Sequence, residues 1–193
     1  MHIFKEEVYD EEEFAGLNCA GQDLSNLVFR DCLFTDCDFS DCKFGRSQLS
    51  GCDFKRCNLS NAKLYDAKLS EVDFRECKLA GVDFTDCNQL LFSISMTQCK
   101  ASFCNFQGLV LAGSRLSDCE LIECVFEGAT LKRADLRNSN LKGADFSRAN
   151  LESADFRGAK LYQINPQESR VAKAKFSYPE VLSLLKGFGV IVD

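Results

Sequence analysis

Twelve cysteines and one histidine are the side chains that could support nucleophilic or metal chemistry in this chain. A thiolate nucleophile needs a neighbouring base, and a structural zinc site takes its soft ligands in closely spaced pairs. The cysteines follow another rule. Cys32, Cys37 and Cys42 lie five residues apart, as do Cys52 and Cys57, and Cys119 and Cys124. Further along, the same slot holds Ala129, Ala134, Ala144, Ala149, Ala154 and Ala159. A cysteine that alternates with alanine behaves as a small buried hydrophobe. No Cys-x-x-Cys pair occurs. His2 stands at the start of the chain, and a Ser-His-Asp or Cys-His arrangement would need it in a formed pocket. Pairs of Asp and Glu abound, but in a periodic sequence they recur on any face. There is no P-loop and no GxGxxG. These residues predict a non-enzyme with no metal and no cofactor.

The elements that carry these side chains are set by one period. In the first half, a Leu or Phe falls at every fifth residue from Leu24 to Phe84, through Phe29, Phe34, Phe39 and so on. In the second half the same holds from Phe106 to Leu161. Two residues before each such centre sits a second, usually small, residue. Just before the centre there is often Asp or Asn, as at Asp38, Asn58, Asp135 and Asn140. Five is neither the helical period nor the strand period. Self-similarity at a fixed short period signals a solenoid. A chain that turns a corner every five residues closes a square coil in about 20, and coils stack roughly 4.8 Å apart. Leu24, Phe44, Leu64 and Phe84 then form one internal column.

Composition sets further limits. Of 193 residues, 17 are Phe, none is Trp and only 2 are Pro. The net charge of -6 is uneven: residues 1–22 hold six acids and one Lys. Nothing resembles a basic nucleic-acid footprint. No apolar run approaches the ~18 residues of a membrane span. The N-terminus lacks the basic start and apolar stretch of a signal peptide. The expectation is a soluble cytoplasmic protein with reduced cysteines, touching neither membrane nor nucleic acid.

The segments ADLRN, ADFSR, ANLES and ADFRG, residues 134–138 and 144–158, resemble the pentapeptide-repeat family, whose unit is A(D/N)LXX. The resemblance covers roughly residues 14–165. It implies an all-β solenoid, a right-handed quadrilateral parallel β-helix of about seven coils. The expected organisation is an acidic segment 1–13, a first repeat subdomain 14–86, a register break 87–104, a second subdomain 105–165 and a tail 166–193.

Phe84 and Phe106 are 22 residues apart, so the register slips by two. Gln89, Leu90, Leu91 and Phe92 fit neither register and form a candidate contact segment, as a bulge, loop or kink. The position two after each centre points outward. It carries Asp31, Asp36, Asp41, Asp66, Glu71, Glu76 and Asp86, a candidate acidic binding surface, but in the second half only Asp118 and Glu123 beside Arg133 and Arg148.

In the tail, Ser177-Tyr178-Pro179-Glu180 has the form of a capping box, which predicts a short C-terminal α-helix. Val181, Leu184, Leu185 and Phe188 fall on one stripe, Gly187 is the expected stop, and Val190-Ile191-Val192 suits a short strand. The ending LLKGFGVIVD resembles that of the gyrase-protecting pentapeptide proteins, among them Qnr, McbG and AlbG. That resemblance implies a homodimer joined through Val181, Leu184, Leu185, Phe188, Val190 and Ile191. It implies docking on DNA gyrase, and on topoisomerase IV, as a DNA-mimicking rod that protects from quinolones or a topoisomerase poison. The early loop of the Qnr proteins has no counterpart, because Phe44 to Phe54 is in perfect register. The other reading is a scaffold for a different protein partner.

Overall fold

The computed structural model describes residues 4–191. His2 and Val192 therefore lie outside the described residues. Where Asp or Asn precedes a centre, it starts the local structure. Asp38 Oδ1 accepts hydrogen bonds from the Ser40 N–H at 2.9 Å and the Ser40 hydroxyl at 2.7 Å. Asn58 does the same with Ser60. These Asx turns bend the chain just after the centre. At many corners the centre's carbonyl also accepts from the N–H three residues on, as Phe126 does from Ala129 at 3.0 Å. With or without that bond, the residue two after the centre has a positive φ at nearly every corner, 51° at Asp31, 55° at Asp36 and 66° at Gly128.

Between corners the chain is extended and pairs with the coil before and after it. Strands β1 (Val8–Asp10), β3 (Val28–Arg30), β5 (Gln48–Ser50) and β7 (Lys68–Ser70) form one parallel sheet in that order. Strands β2 (Glu13–Ala15), β4 (Leu33–Thr35), β6 (Asp53–Lys55), β8 (Val72–Arg75), β9 (Ile94–Thr97) and β10 (Leu116–Ser117) form a second. Isolated parallel bridges build the other two sides. One column steps through Asn18, Asp38, Asn58, Lys78, Lys100, Glu120, Asn140 and Lys160. The fold is thus a four-sided parallel β-solenoid, as the period predicts. Its pairing starts at Val8 and runs on to Lys175, beyond the expected limits of 14 and 165.

The interior is filled. Phe14, Phe34, Phe54 and Phe74 stack with ring centroids 4.7–5.2 Å apart. Phe84, Phe106, Phe126 and Phe146 form a second ladder at 4.9–5.1 Å. The twelve cysteines are all buried and free. All but Cys19 and Cys87 are donors as well as fillers. The Cys42 thiol points at the Cys19 carbonyl, 2.7 Å away, and that of Cys124 at the Ala101 carbonyl at 2.8 Å. Ser47 and Ser139 place hydroxyls on the Leu24 and Leu116 carbonyls in the same way.

Both ends are closed. Phe4 packs edge-on against Tyr9, Phe14 and Phe29 over the first coil. Around it Glu6, Glu7, Asp10, Glu11, Glu12 and Glu13 are exposed, beside the edge strands β1 and β2. At the other end, Glu180–Phe188 is a 3-10 helix rather than the expected α-helix. Nine residues hold little α-helical stability alone, and Gly187 lowers it further. The capping box does not form: Pro179 occupies the cap without a side-chain bond. Ser177 Oγ instead accepts from the Gly158 N–H at 3.1 Å, tying the tail to the last coil. Gly189, with φ 69°, is the stop. Gly187 faces Asn165 and Pro166 so closely that a Cβ there would collide with both.

Two irregularities interrupt the period. Lys68 pairs with Asn88, 20 residues on, but Val72 pairs with Ile94, 22 on. The extra two residues therefore lie between Asn88 and Ile94. From Ile94 onward the second register is established, so the break is much shorter than 87–104. It is a bulge, and the sheet continues across it through β8 and β9. The second irregularity was not expected. Leu161, the presumed last centre, is exposed at 59% and has φ 60°. Tyr162 and Ile164 turn inward instead. Asn140 pairs with Lys160, but Asp145 pairs with Gln163, only 18 on. Asn150 then pairs with Arg170, again 20 on, so the two residues lost before Gln163 are regained between Gln163 and Arg170.

Candidate functional site

A filled interior leaves little room for a substrate. The void among Phe44, Leu64, Phe74 and Phe84 measures about 10 Å³, at most one water. Among the described residues no group of His, Cys, Asp or Glu is placed to hold a metal ion. No described helix is long and apolar enough to cross a membrane. Burial raises the Cys19 and Cys42 thiols to about 11 and the Cys52 and Cys87 thiols to about 12. Such thiols stay protonated and are poor nucleophiles. The surfaces that remain are the four sides, the bulge and the C-terminal end.

The seven candidate acids do not share one side. All but Asp86 are the positive-φ corner residues themselves; Asp86 closes a 3-10 turn, Phe84–Asp86. Asp tolerates that backbone conformation better than most residues, so part of the acidic pattern is a turn requirement. A five-residue step moves to the next corner, and only a 20-residue step returns to the same one. Asp31 and Glu71 lie on the corner between the four- and six-stranded sheets, in line with Leu91. Asp36 and Glu76 lie on the far corner of the six-stranded sheet. Asp41 lies diagonally across the rod, and Asp66 and Asp86 on the fourth corner. The structure thus gathers four of the seven around the six-stranded sheet. It adds Asp53 and Asp73, which the corner position missed because they precede their centres.

This side is not uniformly acidic. Asp36 receives both Nε and Nη2 of Arg56 at 2.7 Å, which holds its carboxyl below the usual range. Arg75 pairs with Asp73 at 2.7 Å and reaches Asp53 at 3.4 Å. In the second half, Asp135 and Asp155 are held below the usual range by Arg137 and Arg157 on the same side. Exposed pairs like these contribute little to stability. They also neutralise the acids along most of that side.

The bulge is the main apolar feature of the first half. Leu90 and Leu91 are exposed at 74% and 75%. Phe92 turns back onto the core, 6.4 Å from Phe84 between centroids. Gln89 Nε2 donates to the Cys87 carbonyl at 2.7 Å. A cleft of about 300 Å³ opens between Gln89, Phe92 and Val110. At the C-terminal end, Val181, Leu184 and Leu185 are half-buried, and Leu184 packs on the rod's own core. Phe188, Val190 and Ile191 are exposed, Ile191 at 87%. Tyr178, absent from the expected set, is exposed beside them.

Three solved structures of QnrB1, a plasmid-mediated fluoroquinolone resistance protein, match this rod. Two trypsin-treated variants give TM-scores of 0.72 at 24% and 23% identity. They cover 96% of this chain and 97% and 100% of theirs. The full-length protein gives 0.71 at 22% identity, covering 95% of this chain and 100% of that one. No curated protein sequence matches the chain. A family model described as a pentapeptide repeat region matches residues 27–103, up to and across the bulge. A second, described as pentapeptide repeats in eight copies, matches 94–133 and 129–165. With the repeats matched on both sides of the bulge, the chain belongs to the pentapeptide repeat family.

Proposed function

We propose that this protein is a non-enzymatic binding protein that docks on type II DNA topoisomerase, DNA gyrase first and topoisomerase IV as its relative. It acts there as a homodimeric, DNA-mimicking rod in the cytoplasm and protects the enzyme from quinolones or a topoisomerase-poisoning toxin. The observation that carries the reading is the end-to-end match with the rod of QnrB1, a fluoroquinolone resistance protein, tail included. The filled interior supports it, because a rod without a cavity acts through its surface. The contact side in this reading is the six-stranded sheet with Asp31, Glu71 and Glu76 on its corners and Leu90 and Leu91 at its rim.

A second reading is a scaffold for another protein partner. The ion pairs Asp135–Arg137 and Asp155–Arg157 favour it, because they remove from the second half the acidic field that DNA mimicry needs.

Supercoiling by purified gyrase, titrated with the protein with and without ciprofloxacin, tests the first reading. Restored supercoiling under the drug is the expected result. The triple change Asp31→Lys, Glu71→Lys, Glu76→Lys should abolish it. Asp41→Lys with Glu123→Lys, on the diagonal corner, should leave it intact. No effect at large excess, on gyrase and topoisomerase IV alike, gives the protein to the second reading.

A further inference from the structure

Two hydroxyls at the C-terminal end of the rod are buried without a hydrogen-bond partner: those of Tyr162 and Ser183. Tyr162 is only 2% exposed. Both residues line a single cleft of about 570 Å³ between the last coil and the terminal helix. Lys142 and Lys186 stand on its walls, with Glu180 beside them and Leu161 on an apolar side. Among the described residues none of these three charges forms an ion pair.

The cleft is a product of the second irregularity. The inward column that holds Val82, Cys104, Cys124 and Ala144 takes no aromatic residue until the chain loses two positions. Tyr162 then enters that column, and its ring packs on Phe156 and Phe176. Leu161 is thrown outward at the same step. Burial first, and the Glu180 carboxylate second, push the phenol up to about 12. It is therefore neutral and a donor at pH 7. Ser183 and two ammonium groups complete a set of donors with one carboxylate among them.

The geometry points to a binding site in this cleft for a small monocarboxylate, held by the hydroxyls of Tyr162 and Ser183 and the ammonium groups of Lys142 and Lys186. Two lysines and one glutamate leave a single net positive charge. That suits a monoanion better than a doubly charged phosphomonoester. The volume lies in the range of small-molecule sites, and Leu161 offers contact to an apolar body. A carboxylate of this kind is supplied by a free small acid or by the C-terminus of a peptide.

The test is a titration of the isotope-labelled full chain, followed by amide shifts, without any topoisomerase present. The probes are isocaproate, its neutral amide, and an acetylated Val-Val dipeptide with a free carboxylate. The expected result is saturable shifts at Gly143, Tyr162 and Ser183 with isocaproate or the dipeptide, and none with the amide. Saturation by isocaproate identifies the free acid as a source; saturation by the dipeptide alone identifies the chain end. Tyr162→Phe, which keeps the ring, should weaken binding at least threefold, and Lys186→Met likewise. Equal binding of acid and amide overturns the site. So does the lack of any saturable shift up to tens of millimolar. Shifts that follow protein concentration alone assign the cleft to a second copy of the chain and also overturn it.

Discussion

At the scale of single residues, each pentapeptide position answers one physical demand. Asp or Asn before the centre closes the Asx turn, as Asp38 does with Ser40. The centre fills the core, and the corner residue accepts a positive φ. A β-branched residue at such a corner is strained by about 1–2 kcal/mol, and at Gly51 any Cβ would also strike the Asp31 carboxylate. The small slot is where the sequence told only part of the story. Cys and Ala alternate there because both are small. Only the structure shows that the thiols also point at carbonyls of the coil below, as Ser47 and Ser139 do. The buried thiols couple stability to alkaline pH. Folding raises Cys19 and Cys42 from 9.0 to about 11, and Cys52 and Cys87 to about 12. Above pH 9 the unfolded chain has lost these protons and the folded one has kept them. Stability is therefore full below pH 9 and falls as the pH rises toward 11 or 12. Urea midpoints measured across that window should decline steadily. A flat profile would mean that the thiols are accessible.

At the scale of elements, the coil was legible in the sequence because its period is strict, and so were the breaks that a spacing reveals. The 22 residues from Phe84 to Phe106 announced a slip, though not that it is confined to the bulge before Ile94. The second slip was hidden because Leu161 is a leucine in the right place. Nothing local marks it as exposed, and only the inward turn of Tyr162 and Ile164 decides. The Ser-x-x-Glu signal likewise misled, because Ser177 is captured by the Gly158 amide. The candidate acids dispersed for a geometric reason: a five-residue step changes corner, so a face must be read at 20. The bulge offers a direct test. Deleting Gln89 and Leu90 leaves Asn88-Leu91-Phe92-Ser93-Ile94, which restores an uninterrupted repeat with Leu91 as its centre. Thermal unfolding should then occur at the same temperature or higher, while the proposed protection of gyrase should be lost. Retained protection would remove the bulge from the contact surface; a collapsed fold would show that Phe92 is needed where it stands.

At the scale of the whole molecule, stability is a sum over neighbouring coils, so the two ends matter most. The C-terminal end keeps Phe188, Val190 and Ile191 in the open although Leu184 is already spent on the rod's own core. In the proposed dimer these three meet their symmetry mates. Sedimentation should therefore show a dimer, and Phe188→Asp with Ile191→Asp should return a folded monomer that melts at a lower temperature, with a midpoint independent of protein concentration. A wild-type monomer would dismiss the symmetric rod. The N-terminal end presents the opposite case. Among the described residues, β1 and β2 are the edge strands of their sheets, and such edges can template the addition of another chain. Six carboxylates surround them, from Glu6 to Glu13. Mutual repulsion between such ends acts over the Debye length, roughly 8 Å at physiological ionic strength and 3 Å at 1 M. The carboxylates from Glu6 to Glu13 should therefore oppose end-to-end growth. Light scattering should rise as salt is added, and Glu11→Gln, Glu12→Gln, Glu13→Gln should bring that rise to lower salt.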